Sequence, residues 1–356
     1  MVSIDILRGL AILLMVQDHC SLIFVGWEES SLIFTGSLSL GLLAAPIFSF
    51  IFGLSLFLWM EKKGAVGGDS REVIRSTVRR GLFLFLLGLV LLTCTWGPDK
   101  IFTWDILTFL GTSAIILVPV RTWSARRLII LAFVVIMITP PLRTISGCYS
   151  IHEDGIFWDV FTLKHVVLGW LIYGFFPLFP WIAVPVVGFA AGKLLTTDSE
   201  GRFIARKAIL LTGIGFACMG IVSWFFDKDL PSSLEGAPAK YSHMMLMIAV
   251  ACIGFWILNK LFDSRQKQTG MALAFFKRQS LFSLSVYVVH LLVFTWSVRL
   301  LAIWENANYY DDSWNKFPPA VAIPITVFFI IVWDWVLRRW EAKRAYSIEG
   351  FLHWLM

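Results

Sequence analysis

Four ionisable side chains stand in the first apolar segment of the chain, where charged residues are rare: Asp5, Arg8, Asp18 and His19. In an α-helix, which turns about 100° per residue, Arg8 and His19 lie within about 20° of each other and about 16 Å apart along the axis. Asp5 lies about 60° from Arg8 on the same stripe. Ionisable groups inside a membrane usually face a bundle interior or a water-filled cavity and mark a functional site. The stripe therefore predicts a site that runs along the first helix.

His19 is the candidate catalytic residue of this stripe, because imidazole titrates near neutral pH and commonly serves as a general base. A structural hydrogen bond between helices is the alternative for a single histidine, but its alignment with Arg8 favours catalysis. Asp18 points about 100° away from His19, and it either contacts a neighbouring helix or orients the imidazole. Arg8 either pairs with Asp5 as a structural brace or binds a phosphate group.

Three residues elsewhere in the chain are candidates for the same cavity. His290 lies in the middle of a late apolar segment, Asp105 is the acidic residue of another, and Trp181 ends the tract 173–181, which contains two prolines. Prolines break helices, and broken backbone at membrane depth is tolerated where it lines a cavity. The alternatives are a proline kink that only packs a helix and, for His290, a structural hydrogen bond.

The composition places these residues in a membrane. The chain has 356 residues, of which 58% are hydrophobic and 15% charged, and its mean hydropathy is +0.77. Soluble domains rarely combine this length with this apolarity. We predict an all-α integral membrane protein, with about ten transmembrane helices in one bundle and a single domain over residues 1–356. The predicted spans are 6–26, 38–60, 81–96, 103–120, 127–143, 166–194, 208–226, 242–262, 281–301 and 318–338.

The positive charges set the expected orientation of the bundle. Most of the 30 Lys and Arg residues fall between the apolar segments on one side, and the positive-inside rule makes that side cytoplasmic. Both termini are therefore predicted to be cytoplasmic, and we expect no nucleic-acid partner. The first segment holds Asp18 and His19 and no small-residue cleavage site is evident after it, so we interpret it as a retained span and not a signal peptide.

The 5 cysteines show no spacing typical of metal ligands. The sequence therefore predicts neither a metal site nor a disulfide framework. A bridge between Cys94 and Cys148 on the outer face is conceivable.

A row of arginines occupies the predicted inner loop 61–80. Arg71, Arg75 and Arg79 recur every four residues, which places them on one helix face, and Arg80 follows directly. This face either binds the phosphates of a nucleotide-containing donor or lies on anionic lipid and fixes the topology.

The segments 144–165, 227–241 and 302–317 are the candidate outer surface for a second substrate. They are richer in acidic residues, aromatic residues and turn formers than the inner loops, and the first contains His152 and His165.

Several motifs follow one another in an order that a known family shares. Ser3-Ile4-Asp5-x-Leu7-Arg8-Gly9, followed by an apolar run to His19, resembles the opening helix of the heparan-α-glucosaminide N-acetyltransferase catalytic-domain family. The Arg8-x10-His19 spacing is similar to the Arg-x10-His signature of a wider set of membrane acyltransferases that modify surface polysaccharides. Further matches are Ala45–Ser55, Arg79-Arg80, Asp105–Gly111, Phe176–Trp181 and Ser283–His290.

The resemblance implies transfer of an acetyl group from cytoplasmic acetyl-CoA to a sugar amine or hydroxyl on the far side of the membrane. It implies acetyl-CoA as co-substrate without a metal, His19 as general base or transient acyl carrier, and a multi-pass protein of a prokaryotic cytoplasmic membrane. The predicted partners are acyl-CoA, a sugar or glycan acceptor and membrane lipid. The predicted donor-binding residues are Asp5, Arg8, Arg71, Arg75, Arg79 and Arg80.

One departure from the family decides which type of site is expected. The lysosomal member has asparagine at the position of His19 and its catalytic histidine in the first outer loop, whereas residues 27–37 contain no histidine here. The Arg-x10-His type of site therefore fits better. The sequence leaves open the acceptor, the length of the acyl group, O- or N-transfer, an acyl-histidine intermediate and homo-oligomerisation.

Two other classes of function compete with this interpretation. In a proton-coupled transporter of a small amphiphile or glycan lipid, His19 and His290 would carry the coupling proton. Such transporters commonly contain internal repeats, and none is visible in this sequence. A scaffold for a glycan-assembly complex would leave the Asp5, Arg8 and His19 stripe unexplained.

Overall fold

The computed structural model describes residues 1–25, 40–65, 69–146, 162–196, 199–226, 240–263, 270–305, 317–341 and 347–355. Every regular element in these ranges is helical, and nine helical segments among them are long and apolar enough to cross a membrane. The predicted all-α membrane class is therefore confirmed.

The α-helices are numbered in chain order. They are α1 (Val2–Phe24), α2 (Ala44–Ala65), α3 (Ser70–Trp96), α4 (Ile106–Leu117), α5 (Ala125–Ser146), α6 (Leu163–Leu168), α7 (Leu178–Trp181), α8 (Ala183–Leu195), α9 (Ser199–Phe226), α10 (Tyr241–Leu258), α11 (Met271–Leu281), α12 (Ser283–Glu305), α13 (Pro319–Glu341) and α14 (Ile348–Leu355). Two π-helical turns, Gly169–Tyr173 and Asn259–Asp263, and a 3-10 turn, Pro98–Lys100, complete the set.

The chain separates into two compact units. Met1–Phe48 and Ile257–Leu355 form the first, so the two ends of the sequence fold together, and Ser49–Trp256 form the second. A single functional domain over residues 1–356 stays a prediction.

Helix α1 lies at the centre of the first unit. It packs against α11, α12 and α13 and buries Ile12 and Val16 completely or nearly so. The first N–H groups of a helix lack partners within it. Here Val2 N and Ser3 N donate to Asp263 Oδ1 over 2.7 and 3.3 Å, so the carboxylate fixes the start of α1.

A buried ion pair joins α11 to α13. Arg278 donates through Nε and Nη2 to the two carboxylate oxygens of Asp334 over 3.0 and 3.1 Å, and Arg338 Nε donates to Oδ2 over 2.9 Å. Arg278 and Asp334 are only 8% and 6% exposed. A bidentate pair at this burial fixes both the position and the rotation of α11.

In the second unit, small residues bring α3 and α4 together. A Cβ added at Gly111 would meet Gly81 O at 2.5 Å, so the two backbones touch and only glycine fits. The observed helix is shorter than the predicted span 103–120, because only the 12 residues of α4 are helical. They extend about 18 Å, less than the roughly 30 Å of hydrocarbon. The helix starts late: Asp105 occupies its N-cap position in an extended conformation, and its backbone carbonyl accepts the first helical hydrogen bond, from Phe109 N over 3.1 Å.

The proline-containing tract 173–181 breaks the helix as predicted. Residues 174–177 lie between the π-helical turn and α7, and their backbone is paired with the non-helical stretch before α4. Phe175 N donates to Thr103 O over 2.9 Å, and Phe176 N donates to Trp104 O over 3.0 Å. Trp104 has a φ of 61°, which bulky residues rarely adopt. Two broken segments of the second unit thus satisfy each other's backbone groups, as membrane burial requires.

Candidate active site

The structure brings His19 and His290 into direct contact within the first unit. His19 lies on α1 and His290 on α12, and Nδ1 of His19 is 2.7 Å from Nε2 of His290. The two rings are nearly parallel, with an interplanar angle of 16° and centroids 5.0 Å apart. His290 is fully buried, and His19 is half-buried. Two histidines that are 271 positions apart in sequence therefore form one hydrogen-bonded pair.

The carbonyl oxygen of Val286 determines which ring nitrogens carry hydrogen when both rings are neutral. His290 Nδ1 is 2.9 Å from Val286 O, and a carbonyl oxygen only accepts hydrogen bonds. His290 Nδ1 must therefore be protonated, which leaves its Nε2 as an acceptor. His19 Nδ1 then donates to it, and the unprotonated nitrogen of the pair is His19 Nε2.

Aromatic rings fix the orientation of His290. Tyr287 and Phe294 contact its ring edge to face, with centroid distances of 5.7 and 5.8 Å. Phe294 is in turn held by Phe24 and Phe329 at 5.6 and 5.1 Å. His290 is thus a rigid acceptor, and a rigid acceptor holds the His19 ring with one nitrogen ready to take a proton.

Asp18 contacts a neighbouring segment. Among the residues that the structure describes, its buried Oδ1 atom has no hydrogen-bond partner, and a Cβ added at Gly41 would lie 2.3 Å from it. The carboxylate therefore packs directly on the backbone of residue 41, and the orienting contact to His19 Nδ1 comes from His290. Of the two interpretations of Asp18, this geometry supports contact with a neighbouring segment.

Ser280 bridges Asp5 and Arg8. Arg8 Nη1 donates to Ser280 Oγ over 3.3 Å, and Ser280 Oγ donates to Asp5 Oδ1 over 2.8 Å. Ser280 is 2% exposed and lies near the end of α11. Because α1 is one continuous helix over Val2–Phe24, this polar cluster stands about 16 Å along the axis from His19. The contact favours the brace interpretation of Arg8.

The arginine row of α3 is arranged as its spacing predicts. Arg71, Arg75 and Arg79 are exposed, whereas Val73 is among the buried residues of the opposite face. Arg80 is half-buried, and its guanidinium lies 5.8 Å from the ring centre of Trp59. Three cations are therefore available on one surface of the second unit.

Asp105 and Trp181 also belong to the second unit. Asp105 is the half-buried N-cap residue of α4. Trp181 is 8% exposed and packs against Phe176 and Phe109 at 4.9 and 6.4 Å. Trp181 therefore anchors the break at 174–177 to the apolar core of this unit.

Some predicted residues lie outside the described part of the chain. His152 and Cys148 fall within residues 147–161, so the acceptor-facing segment 144–165 is described only at its ends. At one end, His165 N donates to the Thr162 side chain over 3.3 Å at the start of α6.

The fold and the site define an integral membrane protein with a histidine pair inside a helical bundle. The chain belongs to the heparan-alpha-glucosaminide N-acetyltransferase family: the model of the family's catalytic region, "Heparan-alpha-glucosaminide N-acetyltransferase, catalytic", matches residues 1–223. The resemblance seen in the motifs is thereby confirmed, and the protein is a membrane acetyltransferase by class. No curated protein matches the chain.

The matched region contains only one of the two histidines. It includes α1 with His19, but His290, Val286 and Ser280 lie beyond residue 223. Sequence reasoning missed Val286 and Ser280, because a valine carbonyl and a serine before an apolar helix carry no distinctive pattern. His290 was a candidate because it lies in the middle of an apolar segment. Nothing in the sequence indicated that it contacts His19.

Proposed function

We propose that the protein transfers an acetyl group from acetyl-CoA to an amine or hydroxyl group of an extracytoplasmic sugar or glycan, with His19 as the general base. The observation that carries this proposal is the 2.7 Å contact between His19 Nδ1 and His290 Nε2. Members of the family generally use acetyl-CoA as donor, and acyl transfer to a weakly acidic N–H or O–H group needs a general base within hydrogen-bond reach of that group. A prokaryotic cytoplasmic membrane as the location stays a prediction.

The proposed reaction has one proton acceptor and one leaving group. The acceptor's N–H or O–H proton moves to His19 Nε2 while its lone pair attacks the thioester carbonyl carbon. The carbon–sulfur bond then breaks, and the CoA thiolate takes the proton back from His19 Nε2. His19 Nδ1 donates to His290 throughout, so His290 stabilises the imidazolium without changing its own protonation. The products are an acetyl amide or ester and CoA.

A covalent route uses the same atom. If His19 Nε2 attacks the thioester carbonyl carbon itself, the carbon–sulfur bond breaks, the CoA thiolate leaves and an acetyl-imidazolium remains on His19. The acceptor then attacks the acetyl carbon, its proton passes to the thiolate, and the bond between the acetyl carbon and His19 Nε2 breaks. Radiolabelled acetyl group that stays on wild-type protein, but not on His19→Asn, after rapid quenching without acceptor supports the covalent route, and its absence from wild-type protein supports the general base.

Donor binding is proposed for the exposed arginines of α3. Arg71, Arg75 and Arg79 present three cations on one face, which suits the phosphates of CoA. Arg80 is already stacked on Trp59, and Asp5 and Arg8 are engaged with Ser280. We therefore give Arg80, Asp5 and Arg8 a secondary, positioning part in donor binding.

Acetyl transfer in liposomes tests the proposal directly. Purified protein is reconstituted and supplied with radiolabelled acetyl-CoA on one side and a panel of amino sugars and neutral sugars on the other. We expect acetylated sugar or, without a suitable acceptor, slow release of free acetate. Protein-dependent movement of a sugar without any loss of acetyl-CoA would contradict the proposal and favour the transporter.

A further inference from the structure

The first turn of α12 is held by a carboxylate from the C-terminal helix. Ser285 N donates to Glu349 Oε1 over 2.9 Å, and Ser285 Oγ donates to Glu349 Oε2 over 2.6 Å. Ile348 N donates to Ser285 Oγ over 3.1 Å. The first N–H groups of a helix have no partner within it, and a negative charge at that end is favourable. Glu349 therefore caps α12 from a position 64 residues away in sequence.

The capped turn is the one that presents a carbonyl to His290. Val286 directly follows Ser285, and Val286 O is the acceptor 2.9 Å from His290 Nδ1. This acceptor requires a hydrogen on His290 Nδ1, which in turn leaves His19 Nε2 unprotonated. Movement of the first turn of α12 would therefore displace Val286 O from His290 Nδ1. The positions of the hydrogens on both rings depend on this contact.

The other side of the α11–α12 junction is held by α1. Ser280 contacts Asp5 and Arg8 of α1. Ser285 and Ser280 are 1% and 2% exposed. The α11–α12 junction is therefore flanked by two buried polar contacts: Ser280 joins α11 to α1, and Ser285 joins α12 to α14.

We propose that Glu349 is a positioning residue for the histidine pair: by fixing the first turn of α12, it keeps Val286 O on His290 Nδ1 and so keeps His19 Nε2 as the proton acceptor. The inference rests on the proposed function for its effect on rate, but its effect on hydrogen positions is independent of any reaction. It also assigns a role to α14, which lies outside the region that the family model matches.

The kinetic test compares Glu349→Ala, Glu349→Gln and a matched control, Glu341→Ala. Glu341 is an exposed residue at the end of α13. Small misplacements of a catalytic group reduce turnover by up to about 100-fold, so we expect kcat of Glu349→Ala to fall about 10-fold to 100-fold. KM for acetyl-CoA should not rise. Glu349→Gln keeps one acceptor oxygen and should retain more activity, and Glu341→Ala should match wild type.

Nitrogen NMR on protein labelled with [15N]histidine tests the hydrogen positions without turnover. In wild type, we expect a protonated Nδ1 and an unprotonated Nε2 at His19, assigned by comparison with His19→Asn. Glu349→Ala should show a mixture of both tautomers. A Glu349→Ala protein with wild-type kcat and wild-type nitrogen signals overturns the proposal. If Glu349→Ala does not fold, Glu349→Gln and Ser285→Ala must show the same changes to a smaller extent, and wild-type behaviour in both also overturns it. An altered NMR spectrum in a protein that shows no acetyl transfer would retain this inference and reject the proposed function.

Discussion

Replacing His290 removes the acceptor on which the orientation of His19 depends. His290→Leu fills the site with an apolar side chain of similar reach and leaves His19 Nδ1–H without a partner. The hydrogen bond lost, of 2.7 Å between the two rings, is charged once His19 has taken a proton. Hydrogen bonds to charged groups contribute about 1.5–3 kcal/mol. Since about 1.4 kcal/mol corresponds to a tenfold change in rate, we expect kcat to fall about 10-fold to 150-fold.

His290→Gln separates acceptance of a hydrogen bond from the imidazole ring itself. A glutamine oxygen can reach the approximate position of the histidine Nε2 atom, so this variant should retain more of the wild-type kcat than His290→Leu. Ser297→Ala is the matched control on the same helix, because Ser297 is exposed and its hydroxyl donates to the carbonyl of Val293.

Single-turnover acetyl transfer in liposomes measures these rates, and thermal unfolding in detergent checks that each variant is folded. Wild-type kcat in a folded His290→Leu protein would refute the role of His290 as the orienting acceptor. Equal inactivity of His290→Leu and His290→Gln would show that the second imidazole does more than accept a hydrogen bond.

Three further predictions concern the titration of His19, the arginine face of α3 and the ion pair between α11 and α13. Only unprotonated His19 Nε2 accepts a proton, so kcat/KM should rise with pH as the imidazole titrates and then level off. A decrease in kcat/KM over about pH 5 to 8 would contradict a histidine base. Replacing Arg71, Arg75 and Arg79 by glutamate reverses the charge of this face and should weaken CoA binding in calorimetry while leaving the fold intact. Unchanged CoA binding would show that these arginines only fix the membrane topology. Arg278→Met leaves Asp334 with one partner and should destabilise the protein by about 3 kcal/mol, seen as a lower Tm; an unchanged Tm would show that Arg338 alone compensates the buried carboxylate.

Periodicity and hydropathy predicted the parts of the protein that depend on local sequence. Hydropathy is summed over one segment, so it identified the helical membrane class. The stripe on α1 follows from helix geometry, and so does the exposed arginine face of α3. The break at 174–177 follows from the rigid φ of proline and its missing N–H group.

Contacts between distant segments could not be predicted in the same way. The His19–His290 pair, the Ser280 bridge and the Glu349 cap each join residues that are more than 60 positions apart, and no local pattern encodes which helix faces meet. Hydropathy also failed to give the length of α4. Residues 103–105 were part of the predicted span 103–120, but the carbonyls of Thr103 and Trp104 accept hydrogen bonds from the break at 174–177 and do not continue a helix.

The most direct test of the central claim is the rate of acetyl transfer by His19→Asn. Asparagine retains hydrogen bonding and approximate size but cannot take up a proton. If His19 Nε2 is the general base, turnover should fall by about 10²-fold to 10⁴-fold, the usual cost of losing such a group, while CoA affinity stays near wild type. His165→Asn, a histidine substitution in the second unit, should remain active. Equal rates for wild type and folded His19→Asn would contradict the account, and a folded but inactive His165→Asn beside that result would move the base to His165.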